Sequence, residues 1–133
     1  MTRRELRENT FKMLFRKEFH EETEMEEQFA LFMDSFDTPV GEEDRNFIHK
    51  RVEEILSKID EIDKAIDEIS EGWRINRMSK VDLTIMRLAY YEMKFDGDIP
   101  VSVAINEAVE LAKKFGGDDS PSFVNGILAK LTD

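Results

Sequence analysis

Ile48-His49-Lys50-Arg51-Val52-Glu53-Glu54-Ile55-Leu56-Ser57-Lys58-Ile59-Asp60-Glu61-Ile62-Asp63-Lys64-Ala65-Ile66-Asp67-Glu68-Ile69-Ser70-Glu71-Gly72-Trp73 is the stretch that decides the fold class. Its apolar positions Ile48, Val52, Ile55, Ile59, Ile62, Ile66, Ile69 and Trp73 recur at alternating intervals of four and three. Only an α-helix places such positions on one side, as a seam for shallow-angle packing. The periodicity fits one helix or two. Ser57-x-x-Asp60 offers an internal cap, which predicts a break or kink there. A sustained coiled coil is the alternative, but the helices that follow need something to pack against.

Upstream, Thr2-x-x-Glu5 reads as a capping box opening a helix that runs to about Phe19. Its apolar set is Leu6, Phe11, Met13, Leu14, Phe15 and Phe19, with Lys12 and Arg16 four apart on another, exposed face. Glu18 to Asp34 contains no Lys or Arg and holds a turn and a second helix around Met25, Phe29, Phe32, Met33 and Phe36. Asp37-Thr38-Pro39-Val40-Gly41 is the clearest break.

Downstream, Gly72 closes the seam and Ser79, with Asp82 three residues on, opens a helix to about Lys94. This helix is apolar on most faces and is therefore the central one. After the turn Asp96-Gly97-Asp98-Ile99-Pro100, Ser102 can cap a helix over Val103–Phe115 that Gly116 stops. Ser120-Pro121 then supplies a cap and a first-turn proline for a last helix. Strictly alternating β-branched runs are absent and only three prolines occur, so the chain reads as all-α with about seven helices. They fall into a group up to about residue 57 and a group after it.

The 133 residues fit one domain or two small lobes, and 41% hydrophobic residues suffice for a real core. Without cysteine there are no disulfides, thiolate metal sites or cysteine nucleophiles. No apolar run reaches signal-peptide or membrane-helix length, so a soluble, cytoplasmic protein with no membrane contact is expected. The net charge of -11 argues at first against nucleic acid. Its distribution reverses that argument. Residues 1–16 hold Arg3, Arg4, Arg7, Lys12 and Arg16 against only Glu5 and Glu8, a basic arm on an acidic body.

Enzyme constellations are thin, and no catalytic residue, cofactor or metal site is expected. Gly116-Gly117 has no phosphate-loop context. His20 and His49, the only histidines, read as structural or solvated. Glu42/Glu43 and Glu53/Glu54 are sequence neighbours that point about 100° apart on a helix. The basic arm is more informative. Arg3, Arg4 and Arg7 sit at a helix start, where cations are disfavoured by the dipole but phosphate is welcome. Phe15, beside Arg16, could stack an unpaired base. The competing readings are ion pairing of the arm with the acidic body and a core role for Phe15. Asp119 and Ser120, in an exposed turn, are further binding candidates. Gly126 reads instead as a close helix–helix approach, and Asn125 as a side chain that satisfies a neighbouring backbone group.

Val103-Ala104-Ile105-Asn106-Glu107-Ala108-Val109-Glu110-Leu111-Ala112-Lys113 followed by Phe123-Val124-Asn125-Gly126-Ile127-Leu128 closely resembles the NusB transcription antitermination family. Met86-Arg87-Leu88-Ala89-Tyr90-Tyr91-Glu92-Met93, Ile99-Pro100-Val101 and the opening Arg3-Arg4-Glu5-Leu6-Arg7-Glu8 are similar to it as well. The resemblance implies an all-helical fold of two packed bundles, a three-helix subdomain over 1–57 and a four-helix subdomain over 58–133. It implies binding of boxA-type single-stranded RNA with the ribosomal protein NusE, within the RNA polymerase antitermination complex. By position, RNA contacts are implied at Arg3, Arg4, Arg7, Phe15, Asp119, Ser120 and Phe123, and a NusE contact at Asp82. Arg16 is added from face geometry. Glu5 departs from a third arginine, and Phe15 from a common tyrosine, which predicts weaker RNA binding alone. The alternative is a protein-only interaction module or homodimer. A fused methyltransferase, also known among NusB-like domains, would need an α/β domain that is not expected here.

Overall fold

The computed structural model describes residues 1–70 and 74–132. Among them are seven α-helices and no strand: α1 (Arg3–Phe15), α2 (Met25–Asp34), α3 (Glu42–Ser57), α4 (Ile59–Ile69), α5 (Lys80–Phe95), α6 (Val101–Phe115) and α7 (Ser120–Lys130). Three short 3-10 turns, Arg16–Glu18, Glu22–Glu24 and Ile75–Arg77, join them. The chain divides into two compact units, Met1–Leu56 and Ser57–Asp133.

The seam is two helices. Lys58, at φ -112° and ψ 10°, leaves the helical region and separates α3 from α4. The cap position falls on the residue after Ser57. Lys58 occupies the cap position without a side-chain bond, and its carbonyl accepts from the Ile62 N–H at 2.9 Å. Ile48, Val52, Ile55, Ile62 and Ile66 are buried as the period requires. Gly72 and Trp73, the expected end of the seam, lie outside the described residues.

In the first unit α1 packs on α2, and Phe11, Met13, Leu14, Met25, Phe29, Phe32 and Met33 are buried. Here the expected first helix is shorter. α1 ends at Phe15, a 3-10 turn follows, and Phe19 is 61% exposed rather than inward. A tighter turn of about three residues moves later side chains off the α-helical face, which is why period-based assignment of Phe19 fails.

In the second unit α5 is central and touches α4, α6 and α7. Every residue from Asp82 to Glu92 is buried, as an all-round apolar helix demands. Arg87 is tolerated there because its guanidinium grips Asp63 of α4 with two bonds of 2.7 Å, Nε to Oδ1 and Nη2 to Oδ2. Two expected caps are corrected. α6 starts at Val101 straight after Pro100, so Ser102 does not cap it. Ser120 is the first residue of α7 rather than its cap.

Candidate nucleic-acid interface

The start of α1 is a capped helix end tied to α3. Thr2 Oγ1 accepts from the Glu5 N–H at 3.1 Å, and the Glu5 carboxylate accepts from the Thr2 N–H at 2.9 Å. Glu5, the departure from a third arginine, is thus the reciprocal half of the cap, and the Thr2 N–H holds its carboxyl below the usual range. The Met1 amine donates to Asp44 Oδ2 of α3 at 2.9 Å, which ties this end down and raises the amine pKa. Arg3 and Arg4 are exposed and Arg7 is half-buried. At spacings of three and four they share one side of the first two turns.

Further along α1 the picture changes. The half-buried Phe15 ring lies between Phe11, at a centroid distance of 6.1 Å, and Phe19, edge-on at 5.2 Å. Arg16 does not share the exposed face of Lys12. Its Nη1 donates to Gln28 Oε1 at 2.8 Å, and the guanidinium lies 5.2 Å over the Phe32 ring. It fastens the end of α1 to α2, because a flat, weakly hydrated guanidinium gains more on an aromatic face than in water.

In the second unit the α6–α7 turn holds Asp119, Ser120 and Phe123. Asp119 is exposed and Phe123 half-buried, but Ser120 is buried, contrary to the exposed turn expected. The Ser120 Oγ accepts from the Gly117 N–H at 3.0 Å and so closes the turn. Gly116 makes that closure possible. A Cβ there would meet Ser120 Cβ and Oγ at 2.5 Å and the Ala112 carbonyl oxygen at 2.9 Å. The sequence showed only a helix stop at Gly116. Its partner four residues on carried no signal, since serine before proline also fits an ordinary cap.

Gly126 is corrected too. It is exposed, with nothing within 4 Å of a Cβ built on it, so no helix approaches there, and Asn125 beside it is exposed. Asp82 sits in the first turn of α5, where its N–H donates to Ser79 Oγ at 3.0 Å. Its side chain is buried, and Oδ1 has no hydrogen-bond partner among the described residues. A desolvated carboxylate oxygen of this kind is an unfilled acceptor.

Fold and site together define an all-helical protein with a pinned, arginine-bearing helix start on an acidic chain. A model described as the NusB family matches residues 4–133, and the chain belongs to that family. It is 57% identical over 133 residues, all of both chains, to the transcription antitermination protein NusB of Lachnoclostridium phytofermentans. It is 56% identical to that of Agathobacter rectalis over 98% of each. A solved NusB structure from T. maritima superposes at a TM-score of 0.85 with 35% identity, over 99% of this chain and 91% of that one. A structure of antitermination factors NusB and NusE in complex with dsRNA shares the fold at a TM-score of 0.84 and 24% identity, covering 98% and 95%. No helix among the described residues is long and apolar enough to cross a membrane.

Proposed function

We propose that this chain is a transcription antitermination factor of the cytoplasm that binds boxA-type single-stranded RNA together with NusE. As part of the RNA polymerase antitermination complex it supports processive elongation, notably on ribosomal RNA operons. It carries out no reaction and needs no cofactor. The observation that carries this reading is full-length likeness, 57% over all 133 residues, to a transcription antitermination protein. The capped helix start agrees with it, since a helix N-terminus and three arginines within five positions suit phosphate.

In this reading the first unit is a three-helix subdomain over 1–57 in which Arg3, Arg4 and Arg7 hold the RNA backbone and Phe15 stacks a base. Arg16 contributes least, because part of its donor fork already serves Gln28. The second unit is a four-helix subdomain over 58–133. It offers Asp119 and Phe123 to RNA, with Ser120 acting chiefly by closing the turn that carries them. Asp82 takes a donor from NusE, which would fill its vacant Oδ1. An acidic chain also suits a basic ribosomal protein electrostatically.

Fluorescence anisotropy of a labelled boxA-like RNA, titrated with and without NusE, tests the proposal. Selective binding over a scrambled RNA, tightened by NusE, is expected. If NusE binds and RNA adds nothing at either of two salt concentrations, the RNA role fails and a protein-only module or homodimer remains.

A further inference from the structure

The first unit also brings together His49 and Glu53 of α3 with Glu26 of α2, groups outside the RNA and NusE contacts proposed above. The His49 Nε2 lies 2.8 Å and 3.1 Å from the two carboxylate oxygens of Glu26 and 3.4 Å from Glu53 Oε1. One ligand atom from each of the three residues lies within 4.8 Å of the others. A ring nitrogen can give at most one proton, yet three acceptor oxygens converge on it. A small doubly charged cation satisfies all of them. Ligand atoms about 2.0 Å from a tetrahedral ion stand roughly 3.3 Å apart, and the His49 Nε2 lies 2.8–3.4 Å from the carboxylate oxygens of Glu26 and Glu53.

The ring is also held in position. His49 packs edge-on against Phe29 at a centroid distance of 4.7 Å, an aromatic contact that fixes the plane of the imidazole. His49 and Glu53 are four apart and so share one helical face. On the α2 side the segment from Glu18 to Asp34 carries acidic residues and no Lys or Arg, and the nearby cation on α3 is Arg45, whose guanidinium lies 5.4 Å over the Phe29 ring. Two carboxylates and a neutral imidazole balance a divalent charge.

We propose that Glu26, His49 and Glu53 form a binding site for a divalent transition ion such as Zn²⁺, which clamps α2 to α3. The mixed nitrogen and oxygen donors select Zn²⁺ or Co²⁺ over Mg²⁺, which prefers all-oxygen surroundings and gives up water reluctantly. Three protein ligands leave the remaining positions to water. The sequence read His49 as structural or solvated, because Glu53 four residues on is an ordinary same-helix neighbour and Glu26, 23 residues away, joins it only where α2 meets α3.

Isothermal titration calorimetry of the full chain with ZnCl2 in a non-chelating buffer tests this, with imidazole resonances followed in parallel. One Zn²⁺ per chain is expected, shifting the His49 ring signals and not those of His20, with MgCl2 inert. The variants H49A, E26Q and E53Q should each weaken binding at least tenfold, and H20A should not. Should H49A fail to fold, the near-isosteric exposed E26Q and E53Q decide the matter alone. Zn²⁺ uptake unchanged in those two, or His49 signals unmoved by excess Zn²⁺, overturns the proposal and leaves adventitious surface binding.

Discussion

The same substitution should have opposite signs at two glycines ten positions apart, Gly116 and Gly126. At Gly116 an added Cβ meets Ser120 Cβ and Oγ at 2.5 Å and a backbone oxygen at 2.9 Å. Ser120 Cβ and the carbonyl oxygen are fixed by the backbone, and Ser120 Oγ can rotate away only by giving up its bond to the Gly117 N–H. The turn must open by about 1 Å to restore van der Waals distance. Overpacking of this kind costs about 1–3 kcal/mol, and loss of the Gly117–Ser120 bond adds about 1 kcal/mol. The backbone at Gly116, φ -92° and ψ -173°, is open to any residue, so strain in the dihedral is not the cause. At Gly126 the space is empty and the residue lies inside α7. There Gly126→Ala should add about 0.5–1 kcal/mol by removing unfolded-state freedom and raising helix propensity. Urea denaturation followed by circular dichroism reads both changes, as midpoints displaced in opposite directions at unchanged slope. G116A as stable as the parent would refute the claim that Gly116 makes room for Ser120. G126A less stable than the parent would show that α7 is packed where the structure leaves it open.

Three further outcomes are expected. Reversing Arg3, Arg4 and Arg7 to Glu should abolish RNA binding with helicity unchanged, and the parent should show a salt slope near −2, about 0.7 per phosphate contact for three arginines on a single strand; equal loss of RNA binding and helicity would assign them a structural role. Asp63→Asn leaves the buried Arg87 guanidinium short of its bidentate partner and should cost about 3 kcal/mol by thermal denaturation, whereas a change below the error of the measurement would mean that the pair contributes nothing. Because the Met1 amine pKa is raised by Asp44, the stability it contributes is complete below its unfolded value near 8.0 and is lost as pH rises past the folded value. The stability difference between parent and D44N should therefore narrow on going from pH 7 to pH 10, and a constant difference would show that the contact is not an ion pair.

What the sequence could reveal followed the range of the interaction concerned. The capping box at Thr2 and Glu5, the Ser79 cap and the burial of α5 depend on neighbours within one or two turns, so residue type and spacing sufficed. The break at Lys58 was legible as a place but not as a mechanism, because a non-helical φ/ψ pair leaves no trace in composition. The exposure of candidate residues was readable where they stand on a helix end, as Arg3 and Arg4 do. Others owe their state to partners on a second helix. Arg16 is occupied by Gln28, twelve positions away, and Arg87 by Asp63, twenty-four away. Ser120 shows the harder limit, since its partner is only three residues off. A serine ahead of a proline can cap a helix or lock the preceding turn, and both use one hydroxyl and one backbone N–H. The choice falls to Gly116, whose missing side chain admits Ser120 inward. An inward Ser120 leaves Asp118 and Asp119 as the exposed acidic residues of the turn, so a glycine four positions away decides which side chains of the turn face outward.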